Sequence, residues 1–291
     1  MIRILLSSFI FIILLSSCNK KTITPSWVRI NSFVLNTNEA TQGANSQNIT
    51  DVWVYMDGIA LGIYELPCKF PVLAEGEHEF TVFAGIKNNG ISSTRMRYPF
   101  YTSSVSTETL TYHDTIQIFP SINYVNNMEF AFIEDFESAG IGFVKGPTSD
   151  TNMVFVLKDE HPEIVKYGEK CGLVHLQPID SLYTGSTMEV MNIPKSKEVF
   201  LEIDFRNNNS MATGVISGFP DGTVREHNPL IILNPQSTGQ EVWKKIYIRL
   251  TEDINQYANS SSNEIFLLGA LDSDNTYGDI YLDNIKVVHF K

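Results

Sequence analysis

Val199-Phe200-Leu201-Glu202-Ile203-Asp204-Phe205 carries β-branched and aromatic residues at a period of two, which puts Val199, Leu201, Ile203 and Phe205 on one face of a strand. Trp243-Lys244-Lys245-Ile246-Tyr247-Ile248-Arg249-Leu250 repeats that period. Working outward, the same reading predicts strands at Met153 to Leu157, Gly172 to Gln177, Thr187 to Ile193, Thr213 to Ser217, Leu230 to Leu233, Ile265 to Leu271 and Ile280 to Val288. The block opens at Phe130-Ala131-Phe132-Ile133, and no stretch of it carries a long amphipathic helix pattern. About ten strands over this length suit a jelly-roll sandwich, assigned to residues 128–291.

A second β block lies upstream. Val52-Trp53-Val54-Tyr55-Met56 reads as a strand, Asp57-Gly58 as a hairpin turn and Ala60 to Tyr64 as the return. Phe80 to Phe83, Ile91 to Tyr101 and Leu110 to Phe119 follow, separated by turn residues such as Asn88-Asn89-Gly90. Short strands at this spacing indicate a β-sandwich over residues 27–119. Pro120 to Asn127 is rich in turn formers and reads as the linker between the blocks. The Asp272–Asp279 stretch, with three acidic or amide side chains before a glycine, reads as a hairpin loop.

The first eighteen residues are of another kind. Arg3 precedes an apolar run from Ile4 to Leu15, which is too short to span a bilayer, and small residues lead into Cys18. This layout predicts a secretory signal at residues 1–17 and a polar tether at residues 18–26.

The 291 residues are 43% hydrophobic and 19% charged, enough apolar surface for real cores and not the make-up of a disordered chain. A net charge of −12, from 33 acidic and 21 basic residues, leaves no basic patch and so excludes a nucleic-acid partner. Apart from Cys18, the cysteines Cys68 and Cys171 fall in different blocks; the expectation is two buried free thiols, with an inter-domain disulfide as the alternative.

Leu15-Ser16-Ser17-Cys18 resembles the lipobox of bacterial lipoproteins. That resemblance implies cleavage before Cys18, acylation of Cys18 (palmitate among the chains) and anchoring to the cell envelope, most simply the outer membrane. Val52-x-Val54-x-x-Asp57-Gly58, Gly62, Pro67 and Gly76-Glu77-His78-x-Phe80-x-Val82 resemble PEGA-type and related immunoglobulin-like modules, a match confined to residues 51–85. Glu134-Asp135-Phe136-Glu137, Tyr167-Gly168-Glu169-Lys170-Cys171-Gly172-Leu173, Trp243 to Tyr247 and Ile280-Tyr281-Leu282-Asp283-Asn284-Ile285 resemble carbohydrate-binding jelly rolls. The pairing of modules is similar to lipoproteins of the Bacteroidetes group. The expected fold class is all-β, an immunoglobulin-like β-sandwich followed by a jelly-roll β-sandwich.

The jelly-roll resemblance implies a structural Ca²⁺ held by Glu137 and Asp283, with Glu134 or Asp135 as alternates. Glycan binding needs aromatic platforms flanked by polar groups, and Tyr183, Phe219, Tyr257 and Tyr277 are the candidates in or near loops. Catalytic signals are poor: the six histidines are scattered, and Gly214-Val215-Ile216-Ser217-Gly218 fails the nucleophile-elbow spacing. Asp114-Thr115-Ile116 and Asp180-Ser181-Leu182 resemble the O-glycosylation sites of exported Bacteroidetes proteins, at Thr115 and Ser181. The expected function is a non-catalytic binding or scaffolding module of the envelope, with a glycan and envelope proteins as partners; the alternative is a glycan hydrolase or its accessory subunit. Asn19-Lys20-Lys21 lacks the acidic residues that accompany surface display in the resembled group, which favours a periplasmic face.

Overall fold

The first module starts at a strand whose alternate residues point into a core. β1 (Ser26–Ile30) buries Val28 and Ile30, pairs antiparallel with β5 (Cys68–Val72) and parallel with β9 (Thr115–Ile118). A computed structural model describes residues 24–291; the predicted signal, Cys18 and most of the tether lie outside the described residues. A second layer joins β3 (Asp51–Met56), β4 (Ile59–Glu65), β6 (Gly76–Lys87), β7 (Arg95–Arg97) and β8 (Ser104–Leu110) around central β6. The β3–β4 hairpin turns at Asp57 and Gly58, both at positive φ, as a tight hairpin of the predicted kind demands. Val52, Val54, Phe80, Val82 and Ala84 face inward, so this module is a β-sandwich.

The second module is a sandwich of two larger sheets. The back sheet has the order β13 (Met153–Leu157), β14 (Lys170–Leu176), β22 (Gly278–Phe290), β16 (Val199–Asn207), β20 (Lys244–Arg249), with β11 (Met128–Glu134) also on β22. The front sheet has the order β12 (Phe143–Lys145), β15 (Leu182–Thr187), β21 (Ser262–Ala270), β17 (Met211–Gly218), β18 (Val224–Glu226), with β19 (Ile231–Leu233) also on β17. Val199, Leu201, Ile203 and Phe205 share the inner face of β16, as the period of two dictates, and meet Ile265, Leu267 and Val215 of the front sheet. The all-β class and the two sandwiches are what the sequence patterns predicted.

The other face of β16 is also buried. Phe200, Tyr247 and Val288 belong to the core of the first module, which packs on the back sheet from outside. The stretch predicted as a linker is part of that joint. β10 (Ser121–Asn123) pairs parallel with β2 (Val34–Asn36), Ile122 is buried, and Tyr124 reaches the back sheet. Turn-former composition misled here, because Ile122 and Tyr124 alternate inward like any strand.

Other boundaries shift for local reasons. The predicted Thr187–Ile193 strand is irregular after Thr187, though Met191 and Ile193 plug the core. Leu110 to Phe119 breaks into β8 and β9, with His113 at positive φ in the turn between them. Only Arg95–Arg97 of the predicted Ile91–Tyr101 strand is extended and paired as one. The Asp272–Asp279 stretch crosses from front to back sheet and is therefore an arch, not a hairpin; Asp272 Oδ2 accepts from Ser210 N at 2.8 Å and Asn275 Nδ2 donates to Asn208 O at 3.1 Å. Two short helices, α1 (Glu39–Gln42) and α2 (Thr251–Gln256), carried no pattern long enough to read. Cys171 is buried and Cys68 half-buried, both as free thiols.

Candidate glycan and cation sites

The joint between modules holds a buried ionic cluster. Lys245 Nζ lies 3.0 Å from Glu202 Oε2 and 3.6 Å from Asp204 Oδ2, with all three side chains almost fully enclosed. Tyr98 Oη donates to Glu202 Oε1 at 2.5 Å, Tyr124 Oη to Glu202 Oε2 at 2.9 Å, and Ser46 Oγ to Asp204. Burial pushes the Glu202 carboxyl up, but Lys245, Lys286 and the Tyr98 hydroxyl outweigh it and hold the group below its ordinary value. The loop after α1 is stitched to the same sheet. Asn284 Oδ1 accepts from Ala44 N at 2.7 Å, Lys286 Nζ donates to Ala44 O at 3.3 Å, and Asn48 Nδ2 donates to Lys245 O at 2.8 Å.

Beside this cluster opens a cleft of about 400 Å³ between the α1 loop and the second module, with Asp135, Glu137, Gly168, Asp283 and Asn284 among its walls. Asp283 is 1% exposed, and its Oδ2 has no hydrogen-bond partner. Burial pushes its carboxyl up to about 9, and the charges of Asp204, Glu137 and Asp135 push the same way. The other carboxylates implied as Ca²⁺ ligands are partly committed. Glu137 Oε1 accepts from the Glu169 and Lys170 amides at 2.9 and 3.0 Å, and Asp135 Oδ1 accepts from Glu137 N at 3.1 Å. Glu134 is spent on a turn, accepting from Phe136 N at 2.7 Å and from Gly142 N. Among the described residues no three His, Cys, Asp or Glu side chains converge as a metal cluster. The cleft walls still offer oxygens of the kind Ca²⁺ takes, namely the orphan Oδ2 of Asp283, the carboxylates of Asp135 and Glu137 and main-chain carbonyls, without closing round one point.

The four aromatic candidates separate. Tyr183 is 1% exposed inside the sandwich, which corrects its reading as a loop platform: it lies in β15, not beside it. Phe219 and Tyr257 do meet, edge to face at 5.5 Å, and the Arg225 guanidinium sits 5.3 Å from each ring centroid. Their rings are crossed at 65°, so they form a corner rather than a flat platform. Tyr277, 42% exposed, stands at a different cleft of about 130 Å³.

That smaller cleft combines the groups a sugar ring needs. Tyr277 and Tyr281 line it with Arg206, Asn208, Glu241 and Asp279. Arg206 Nε is buried and has no partner, while another guanidinium nitrogen donates to Glu163 O at 3.1 Å. Asp279 Oδ1 is 2.6 Å from His175 Nδ1, which fixes the carboxylate's orientation. Burial and the Asp279 charge push the Tyr281 hydroxyl up to about 12, so it stays a donor at neutral pH. The Tyr277 and Tyr281 rings, the latter packed against Val156, Val165 and Cys171 with the Arg206 guanidinium 5.8 Å from its centroid, stand with two carboxylates and an unspent guanidinium N–H around one space. Only Tyr277 of this set was a sequence candidate. Tyr281 stood inside the quoted Ile280–Ile285 stretch, but its alternation with the inward-facing Ile280 and Leu282 was the only signal that it faces out.

One arrangement of catalytic type escaped the sequence. Ser217 Oγ lies 2.8 Å from His227 Nε2, and His227 Nδ1 lies 2.8 Å from Gln256 Oε1 and 3.9 Å from Asp253 Oδ1. The order hydroxyl, imidazole, acceptor is that of an activated nucleophile. Ser217 is fully buried, and its Oγ also accepts from Asn263 Nδ2 at 2.9 Å, so the chain of bonds ties β17 to β21 and α2, while His227 and Asp253 line a cleft of about 190 Å³. Of the two predicted glycosylation residues, Thr115 is exposed on β9 and Ser181 is half-buried before β15.

No family model and no curated protein matches the chain. Among solved structures it is similar to a non-crystalline-cellulose-specific carbohydrate-binding module, at 12% identity over 53% of this chain and 92% of that one, with a TM-score of 0.38. It is similar also to the xylan-binding domain from Paenibacillus barcinonensis Xyn10C, at 13% identity over 54% of this chain and 98% of that one, TM-score 0.37. A third similarity is to the enzymatically active domain of tailspike protein 4 of bacteriophage CBA120, at 9% identity over 53% of this chain, TM-score 0.37; the chain spans only 20% of that domain. Likeness at this level leaves ligand and activity to be argued from this chain's own geometry.

Proposed function

We propose that the protein is a lipid-anchored, non-catalytic module of the cell envelope that captures a glycan in the Tyr277–Tyr281 cleft. The observation that carries this reading is the convergence of two tyrosine rings with Arg206, Asp279, Glu241 and Asn208, one guanidinium N–H being left unpaired. A pyranose stacks its C–H face on Tyr281, gives hydroxyl protons to Asp279 and Glu241, and accepts from Arg206. The cleft holds one ring rather than a long chain, so recognition is of a chain end or a side branch. Cys18 carries the lipid, and Asp283 with Asp135 and Glu137 holds a Ca²⁺ that braces the joint between modules.

A glycan array with the full chain in detergent micelles tests the central part. Binding to one sugar class, lost in Tyr281→Ala and in Arg206→Gln, is the expected result. Binding that survives both substitutions, or turnover of any glycan by the purified protein, overturns the reading. For the anchor, radiolabelled palmitate should mark the wild-type product and leave Cys18→Ala unmarked.

A further inference from the structure

The first module has an outward sheet face away from the clefts of the second module. On β3 and β6, residues of one parity face the core, and the other parity puts Trp53, Tyr55, Thr81 and Phe83 on the outer face. Trp53 stands opposite Phe83 on one neighbour and opposite Ile63 on the other, while Thr81 stands between Tyr55 and Val105. Trp53, Tyr55 and Phe83 are half-buried and belong to no core cluster, and Ile63 and Val105 are 52% and 56% exposed. The indole lies across Gly85, where a Cβ would come within 3.2 Å of Trp53 Nε1. That nitrogen is buried without a partner. Tyr55 and Phe83 are in edge contact at 5.7 Å.

Charge at one end of this face is unevenly matched. Arg95 pairs with Asp51 and lies 3.3 Å from Glu65, and Lys87 lies 3.9 Å from the same Glu65. Both nearby carboxylates are thereby engaged. Arg97, stacked on Phe83 with its guanidinium carbon 3.5 Å from the ring centroid, has no carboxylate partner among the described residues. A guanidinium over a ring still has N–H groups to give, a fork that matches a carboxylate.

We infer that this face binds a carboxylate-bearing glycan, a chain of uronic acid residues, with sugar C–H faces on Trp53 and Tyr55 and a carboxylate on Arg97. The inference shares with the proposed function only the class of ligand; it concerns another module and another chemistry. The anionic sugar supplies the charge that Arg97 lacks, and the apolar row supplies contact that a simple anion would not use.

Titration of the full chain with polygalacturonate oligomers, read by tryptophan fluorescence, tests it. Wild type should show a saturable change that weakens with added salt, and neutral cellohexaose should not reproduce it at this face. Arg97→Gln, at an exposed position, should weaken polygalacturonate binding by roughly tenfold, and Trp53→Phe should remove most of the fluorescence change. Unchanged affinity in Arg97→Gln, an unchanged signal in Trp53→Phe, or no binding to polygalacturonate overturns the inference. So does a dimer of the full chain in sedimentation that Trp53→Phe dissociates, since the face would then be covered by protein. Failure with polygalacturonate leaves the Tyr277–Tyr281 cleft untouched, and failure of Tyr281→Ala to affect the glycan array leaves this face untouched.

Discussion

Glu202 and Asp283 are both buried carboxylates on the outer face of one sheet, yet they have opposite environments. Glu202 has Lys245 at 3.0 Å and two tyrosine hydroxyls, and its carboxyl is held below the ordinary value. Asp283 has an oxygen with no partner and a carboxyl pushed up to about 9. The first carboxylate is solvated by the protein, so it serves as part of a joint. The second accepts from Asn284 through one oxygen and leaves the other without a donor beside an open cleft, the ground on which the proposed cation site rests. Burial alone would have put both in one category; the neighbouring charges separate them, two lysines beside Glu202 and three carboxylates beside Asp283, and only Asp283 keeps an oxygen without a donor.

Breaking the satisfied side should have the largest effect. Lys245→Met leaves Glu202 and Asp204 enclosed without their cation, a change expected to cost about 3 to 5 kcal/mol in denaturant unfolding. Because Phe200, Tyr247 and Val288 belong to the first module's core, wild type should unfold in one transition, and this variant should separate the modules into two. Next in size is the unsatisfied side. Ca²⁺ at a hundredfold excess over its Kd should stabilise the wild type by about 3 kcal/mol, seen as a melting point several degrees higher, and Asp283→Asn should erase the response. A melting point indifferent to Ca²⁺ and chelator would remove the cation from the account. Smaller again, Tyr124→Phe deletes one of the hydroxyls on Glu202 and should cost roughly 2 kcal/mol without changing the Ca²⁺ response.

An exposed pair supplies the low end of the scale. His78 Nδ1 sits 2.7 Å from Asp57 Oδ2, and that hydrogen bond raises the His78 value above 6.5 and lowers that of Asp57 below 3.8. The stabilisation from His78 is complete below its unfolded value and is lost as pH rises through the raised folded one. The pair is open to solvent, so its effect on stability should be near the limit of detection. The NMR titration of His78 should still lie above the ordinary histidine value and return to it in Asp57→Asn.

Much of the fold was legible because a period of two marks which residues face inward. Val199, Leu201, Ile203 and Phe205 were assigned correctly from spacing alone, as was the Asp57-Gly58 turn. What spacing cannot reveal is the partner of the opposite face. Glu202, Asp204 and Lys245 are charged residues on strands and carry no mark that a second module covers them. The same limit misplaced the joint. Pro120, Ser121, Asn123 and Asn126 look like a linker, while the buried Ile122 and Tyr124 among them are what bind the modules. Sites were less legible than strands: Phe219 and Tyr257 meet only through distant elements, and Ser217 and His227, ten residues apart, meet through a β17–β18 pairing that the sequence pattern did not show. Tyr183 failed as a platform because the strand it belongs to, β15, was read as a loop.

The most direct measurement is a crystal structure of the full chain soaked with the oligosaccharide that the array selects. A sugar ring should be seated on Tyr281, with hydroxyl groups on Asp279 and Glu241 and an oxygen on Arg206 Nε. A ring bound elsewhere on the second module, with the Tyr277–Tyr281 cleft unchanged, would contradict it.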